Sequence, residues 1–210
     1  EVDLGTWGTT GMENLTPLWL LKYLPNMLAC HVTIVHDCRG PSNTITCAES
    51  SSALSLGESM RVIERGAADA CLSGGAESKL NPLSYYRQHS AGRLADARDL
   101  DPGDVVRPFA DNALGTALGE GGGLLVIEAL DHCTERGGTP LAEVLGYAAT
   151  QSPTHDGLGA DADDIAAAIT IALRDANLEP DDIDALVPFG CGIPAVDQAE
   201  AAAIKEVFGD

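Results

Sequence analysis

A short strand-like run that leads directly into a helical pattern constrains the fold of this chain more than any other feature. The run from Ser42 to Ala48 contains the threonine and isoleucine residues that strands favour. Apolar residues then recur at close to helical spacing, at Ala53, Leu56, Met60 and Ile63. Because almost no loop separates the two patterns, the sequence predicts a sharp strand-to-helix turn.

The same alternation continues after this helix. We expect the helix to end at Gly66, because glycine accepts the left-handed conformation of a C-cap and Arg65 suits the negative end of the helix dipole. The run from Ala70 to Ser73 predicts a short buried strand, which Gly74 and Gly75 close.

Further strands and helices are predicted downstream. The strands are Leu124 to Glu128, Leu141 to Thr150 and Ala185 to Phe189, and the helices extend through Arg136, from about Asp163 to Ala176, and from Ala195 to Phe208. The stretch from Asn81 to Asp111, with its Tyr85-Tyr86 pair, is predicted to be mostly loop, and a second loop contains Pro153 and Gly157. This order of elements predicts a layered α/β fold.

The charge of the chain bears on its partners and its location. Twelve Lys and Arg face 32 Asp and Glu, which gives a formal charge of -20. Such a field repels nucleic acid, so a nucleic-acid partner is disfavoured. No apolar run is long enough to span a bilayer, and no basic region followed by an apolar stretch opens the sequence, so a cytoplasmic protein is expected.

The cysteines and histidines lack the spacing of a metal site or a disulfide framework. The six cysteines form no C-x-x-C pair and are expected to be free, buried thiols: Cys30, Cys38, Cys47, Cys71, Cys133 and Cys191. The five histidines show no H-x-x-x-H spacing: His31, His36, His89, His132 and His155. The sequence therefore predicts no bound metal.

The glycine cluster from Gly119 to Gly123 resembles a phosphate loop only superficially. It has no Gly-Lys-Ser/Thr ending, and it precedes a strand instead of opening a helix, so no helix dipole would hold a phosphate there. Close packing of the backbone is the favoured interpretation.

The junction at Ala48-Glu49-Ser50 is a candidate site. A residue held at such a turn faces the N-terminus of the following helix, which favours a thiolate, an alkoxide or a carboxylate. Taken alone, Glu49 could also be an ordinary acidic residue in the first turn of a helix.

A set of runs spread over essentially the whole chain indicates a family. The first is the run from Gly40 to Gly57, continuing to Gly74-Gly75-Ala76-Glu77. The others are Arg107-Pro108-Phe109, Gly115, Leu118 to Glu128, Arg136-Gly137 and Pro194 to Glu200. Together they resemble the β-ketoacyl synthases, and the first run is similar to the nucleophile segment of that family without a gap.

The resemblance implies a chemistry that this chain lacks at two positions. In the family a cysteine attacks the acyl thioester, and here that position carries Glu49. A carboxylate is a poor acyl-transfer nucleophile, so ordinary acylation should fail. Cys47 would not share the geometry of the turn and is expected to be a buried thiol. Phe189 stands at the first catalytic histidine, and its ring neither donates to an enolate oxygen nor takes a proton.

The resemblance also implies changes at the substrate-binding positions. Cys191 and Ile193 replace the two threonines that hold the phosphopantetheine arm. The family's lysine and second-histidine motif and its glycine-rich loop would lie beyond Asp210. Because the sequence opens with Glu1 and stops directly after a helical pattern, both ends are expected to be cut.

The resemblance implies a thiolase-like layered α-β-α-β-α fold, incomplete at both ends. Residues 1–138 would form the later part of the N-terminal half, and residues 139–210 the first part of the C-terminal half. We expect no bound cofactor, since the substrate would arrive on the phosphopantetheine of an acyl carrier protein.

Three functions remain open from the sequence. The first is a non-condensing partner that resembles a chain length factor and pairs with an active ketosynthase subunit or with its own copy, the strand from Ser42 to Ala48 pairing across the dimer. The second is a malonyl-carrier decarboxylase that uses Glu49. The third is an inactive ketosynthase fragment.

Overall fold

The computed structural model describes residues 3–153 and 158–209 and divides them into two compact units. The first unit comprises the residues up to Glu77 together with Gly121–Ala142, and the second comprises Ser78–Glu120 and the residues from Glu143 onward. His155, Gly157 and Asp210 lie outside the described residues, and so does part of the predicted loop around Pro153.

The first unit contains the predicted strand-to-helix junction and the helices and strands around it. Its helices are α1 (Leu4–Thr6), α2 (Met27–Val35), α3 (Ser51–Glu64) and, further along the chain, α5 (Leu130–Glu135). Its strands are β1 (Ala70–Ser78) and β2 (Glu120–Glu128). The last residue of β1 and the first residue of β2 belong to the second unit. Short turns of other helix types cover Trp7–Gly11, Trp19–Tyr23 and Ala48–Ser50.

The second unit consists of helices and longer irregular segments. It contains α4 (Pro82–Ser90), α6 (Ala162–Ala176) and α7 (Pro194–Phe208), with 3-10 turns at Pro102–Asp104 and Pro180–Asp182. Helices α6 and α7 pack on each other. A small core cluster of Cys191, Ile193 and Val196, with Leu158 beside it, lies at the start of α7.

The four predicted helices form with bounds close to the expected ones. Helix α3 ends where glycine was expected to stop it, because Gly66 adopts a left-handed φ of 67°. Helix α6 covers the segment from Asp163 to Ala176, and α7 begins one residue before Ala195. Capping residues and apolar periodicity are local signals, which explains why these predictions are confirmed.

Strands β1 and β2 pair in antiparallel register and run further than predicted. The amide of Lys79 donates to the carbonyl of Gly119 at 3.1 Å, and at the opposite ends Ala129 donates to Asp69 at 3.0 Å. The prediction that Gly74 and Gly75 close the first strand is wrong. A side chain at Gly74 would collide with the carbonyl of Gly123, so this glycine lets the two strands approach inside the sheet.

The glycine cluster forms the start of β2, as the packing interpretation expected. A Cβ added to Gly122 would lie 2.5 Å from the Cβ of Ala76, whereas one added to Gly121 or Gly123 would meet nothing within 4 Å. Close backbone packing therefore requires glycine at position 122.

Three predicted strands do not form, because strands need a neighbouring ladder that sequence periodicity does not supply. The segment from Ser42 to Ala48 is irregular and unpaired within the described chain, and its last residue already belongs to a 3-10 turn. The segments Leu141 to Thr150 and Ala185 to Phe189 are also irregular. In the former, the amide of Tyr147 donates to the Asp175 side chain on α6 at 2.9 Å instead of to a strand.

The prediction of a mostly irregular stretch from Asn81 to Asp111 is wrong at its start, where α4 forms. Asn81 caps this helix by accepting from the amide of Ser84 at 2.9 Å, and Pro82 occupies its first turn. Tyr85 and Tyr86 lie on α4 with exposed side chains.

Both faces of β2 carry exposed apolar side chains. Leu124, Leu125 and Val126 are each half exposed or more, and successive residues of a strand point to opposite faces. Among the described residues, no helix is long and apolar enough to cross a membrane.

Candidate functional site

The strand-to-helix junction is a strained turn, which we call the elbow (residues 47–51). Ala48 has a φ of 49°, in the left-handed region that residues with a Cβ avoid at a cost of about 1 to 2 kcal/mol. A 3-10 turn over Ala48–Ser50 follows, and α3 begins at Ser51. Glu49 is therefore the residue placed between a strained backbone and a helix start, with an exposed side chain.

Two hydroxyl groups bind the peptide groups of the elbow. Ser51 Oγ accepts from the amide of Cys47 at 2.8 Å and donates to the carbonyl of Ala48 at 2.7 Å. Ser50 Oγ donates to the carbonyl of Cys47 at 2.8 Å. These bonds oppose relaxation of the strained residue.

Cys47 is exposed, so the prediction of a buried thiol there is wrong. The segment from Ser42 to Ala48 has no strand beside it in the described chain, and so nothing covers its last residues. Cys38 is exposed as well, Cys30 and Cys71 are partly buried, and only Cys133 and Cys191 are buried as expected.

Helix α3 is held closely against β1 behind the elbow. Ser55 Oγ donates to the carbonyl of Gly74 at 2.9 Å, and Ser73 Oγ donates to Ser55 Oγ at 3.3 Å. A Cβ added to Gly75 would lie only 3.1 Å from the Cβ of Ser52. The first turns of α3, and with them the elbow, thus have a fixed position on β1.

The other predicted site residues belong to the second unit, in a loop that precedes α7. Phe189 is exposed over 53% of its surface, whereas Ile193 is 3% exposed. Gly190 and Gly192 have φ values of 48° and 80°. A side chain at Gly190 would lie 2.8 Å from the ring of Phe109, so glycine is required there for both conformation and space.

Two carboxylates of α7, which we call the carboxylate cradle, receive four consecutive amides of this loop. Glu200 accepts from the amides of Phe189 at 2.6 Å and Gly190 at 2.9 Å. Asp197, 2% exposed, accepts from those of Cys191 at 2.9 Å and Gly192 at 3.0 Å.

Neither Asp197 nor Glu200 was predicted from the sequence to have a role at the site. Asp197 also accepts from the amide of Phe109 at 2.9 Å, and so ties the Arg107-Pro108-Phe109 run to the loop. The available signal was an acidic pair three residues apart on one helix face, directly after a glycine-rich turn.

Cys191 and Ile193 are core residues in this structure. Both pack in the cluster with Val196, and the Cys191 Sγ lies 3.6 Å from Asp197 Oδ1. Burial, followed by the nearby charge of Asp197, raises the pKa of the Cys191 thiol. Their assignment to pantetheine binding stays a prediction from the resemblance.

The structure therefore brings three of the four predicted site residues together in the second unit and places Glu49 in the first. Among the described residues, no group of three or more His, Cys, Asp or Glu is arranged to hold a metal ion.

Comparison with known proteins defines the family. Residues 6–132 match the model of the beta-ketoacyl synthase N-terminal domain, and residues 141–210 match that of the beta-ketoacyl synthase C-terminal domain. The chain belongs to the β-ketoacyl synthase family, and the resemblance inferred from its motifs is confirmed.

Curated relatives include 3-oxoacyl-[acyl-carrier-protein] synthases. The mitochondrial enzyme of Arabidopsis thaliana is 33% identical over 95% of this chain and 43% of its own length. Synthase 2 of Staphylococcus aureus is 32% identical over 95% of this chain and 49% of its own length. The chain thus spans about half the length of the curated relatives it matches.

Solved structures share the fold. The ishigamide ketosynthase/chain length factor has a TM-score of 0.82 at 32% identity, over 99% of this chain and 50% of that one. The AntDE:AntF complex is a type II PKS acyl-carrier protein with its ketosynthase bound to the hexaketide. It has a TM-score of 0.87 at 28% identity, over 94% of this chain and 49% of that one. A beta-ketoacyl synthase from Burkholderia phymatum STM815 has a TM-score of 0.86 at 28% identity, over 98% of this chain and 50% of that one. The α/β, thiolase-like fold is confirmed for the part of it that this chain spans.

Proposed function

We propose that this chain acts as a non-condensing subunit of a ketosynthase pair, in the manner of a chain length factor. The observation that carries the proposal is Glu49 at an otherwise fully built elbow. The turn that would aim a nucleophile at a helix start is present, with Ala48 in its strained conformation, yet the side chain it presents is a poor acyl-transfer nucleophile.

Phe189 supports the same proposal. The cradle orders the backbone at this position, and the ring it presents is half exposed. An aromatic hydrocarbon offers neither a hydrogen-bond donor for a developing enolate oxygen nor a base, so the stabilisation expected from a histidine is missing. We propose that position 49 and position 189 are the substituted catalytic positions of this chain, and that Cys191 and Ile193 are the substituted pantetheine positions.

The proposed partner is an active ketosynthase subunit, or a second copy of this chain, with the acyl group supplied on the phosphopantetheine of an acyl carrier protein. Two similar structures support this choice, since one is a ketosynthase/chain length factor and another contains a carrier protein with its ketosynthase. We further propose the cytoplasm as its location and a boundary between residues 138 and 139 for its two thiolase-like halves.

Two measurements test the proposal: covalent acylation of the protein alone, and its assembly with an active ketosynthase. The protein alone, incubated with a radiolabelled acyl thioester, is expected to remain unlabelled, and it is expected to co-purify with an active ketosynthase and restore condensation. Glu49→Cys is the matched variant: it should accept the label yet still not condense alone, because Phe189 remains. Labelling and extension of the unmodified protein with no companion present would contradict the proposal.

A second candidate, malonyl-carrier decarboxylation that uses Glu49, is favoured by one observation. A strained elbow is retained around an exposed carboxyl side chain, and strained residues cluster at functional sites. Decarboxylation that disappears in Glu49→Ala but persists in Cys47→Ala would support this function. A chain that neither decarboxylates nor binds a ketosynthase would instead be an inactive fragment.

A further inference from the structure

The elbow needs a restraint, because its strained residue lacks the conformational freedom of glycine. Ala48 has a φ of 49° next to an irregular segment that is unpaired within the described chain. Two backbone bonds close the turn, from the amide of Ser50 to the carbonyl of Cys47 at 3.2 Å and from the amide of Ser51 to the carbonyl of Ala48, and neither involves the amide of Cys47 on the other side of the strained residue. Without a further restraint, Ala48 would relax toward the favoured regions, and the direction in which Glu49 leaves the turn would change.

Ser51 supplies contacts on both sides of the strained residue. Its hydroxyl accepts from the amide of Cys47 and donates to the carbonyl of Ala48, at 2.8 and 2.7 Å. The carbonyl of Ala48 and the amide of Glu49 form one peptide unit. The bond to this carbonyl therefore fixes the orientation of the peptide plane that leads into Glu49. The hydroxyl of its neighbour Ser50 donates to the carbonyl of Cys47, on one side of the strained residue.

We propose that Ser51 is the positioning residue of the elbow, and that its hydroxyl holds the side chain at position 49 against the N-terminus of α3. The inference rests on the proposed function only in taking position 49 as the functional one. It deepens that function, since it identifies the group that keeps the nucleophile position built after the nucleophile itself has been replaced.

A thiol at position 49 reports on this placement. A thiol at a helix start has a lowered pKa and is alkylated faster at neutral pH than an ordinary exposed thiol. In a Cys47→Ala background, we expect Glu49→Cys to react with iodoacetamide at pH 7 on the order of tenfold faster than Cys38 of the same molecule, which is exposed. Peptide mapping by mass spectrometry separates the two sites, and the pH profile gives the pKa of each thiol.

Variants at the neighbouring serines separate positioning from general stability. Adding Ser51→Ala should bring the alkylation rate to within about twofold of that of Cys38 and raise the pH midpoint, whereas Ser51→Thr should preserve the fast reaction. Ser52→Ala is the matched control, because it removes a hydroxyl one residue further along α3 from an exposed side chain. Equal rates in Ser51→Ala and Ser52→Ala, or no acceleration in Glu49→Cys itself, would overturn the inference.

A measurement on the unmodified protein covers the case in which Ser51→Ala does not fold. The amide of Cys47, bound by Ser51, should exchange with solvent more slowly than those of Ile45 and Thr46 in the irregular segment before it. Equal exchange at all three would overturn the inference. Neither experiment needs a companion subunit, so failure here is distinct from failure to assemble with a ketosynthase.

Discussion

Replacing Asp197 by asparagine should destabilise the second unit strongly, although the two side chains have the same shape. One carboxylate oxygen accepts from the amide of Cys191 at 2.9 Å, the other accepts from that of Phe109 at 2.9 Å, and the amide of Gly192 reaches both. An asparagine keeps one acceptor and turns an NH2 group toward the remaining donor. One buried backbone amide then faces another donor.

The magnitude follows from the number of bonds lost. A buried donor left without a partner costs about 1 to 3 kcal/mol, and the bonds that survive lose their charge assistance, worth about 1 kcal/mol more. Because Asp197 is only 2% exposed, water cannot replace the lost acceptor. We therefore expect a loss of about 3 kcal/mol in the free energy of unfolding, a large share of the 5 to 15 kcal/mol that is roughly typical of folded proteins.

Urea denaturation followed by circular dichroism measures this loss. Asp184→Asn is the matched control, since it makes the same chemical change at an exposed position of the same unit and should alter the stability by less than about 0.5 kcal/mol. If Asp197→Asn unfolds within about 0.5 kcal/mol of the parent, the cradle does not hold the loop as argued.

Two further changes test other parts of the structure. Gly122→Ala should lower the stability by about 1 to 3 kcal/mol in urea denaturation, because its methyl would lie 2.5 Å from the side chain on the neighbouring strand. Gly121→Ala is the control and should be nearly neutral, since its methyl would meet nothing within 4 Å. Similar losses in both variants would refute the packing argument. Hydrogen bonds from Arg136 and, to a smaller extent, from His132 lower the pKa of Glu128 from its usual 4.5 to about 2. The ionised group therefore stabilises the fold above pH 4.5, and that stability is lost as the pH falls toward 2. Thermal unfolding between pH 5 and 2 should therefore depend less on pH in Glu128→Gln than in the parent or in Glu135→Gln, and parallel curves would contradict the assignment.

The family and the helices could be predicted from the sequence because their signals are local. The spacing from Ala53 to Ile63 and the C-cap at Gly66 predict α3 without knowledge of any neighbour, and the motif around Glu49 indicates the family by itself. The strands were harder to predict, since a run such as Ser42 to Ala48 has strand propensity but forms a strand only where a partner strand lies beside it.

The site shows the same division. Sequence alone determined that position 49 carries a carboxyl group and position 189 an aromatic ring, because these are facts of residue identity within a recognisable motif. Only the tertiary structure decided that Ala48 is strained and that Ser51 binds both sides of it. It likewise decided that Asp197 and Glu200 collect the amides of a loop up to eleven residues before them. Such contacts depend on where the folded backbone directs each donor and acceptor, which periodicity and composition do not encode.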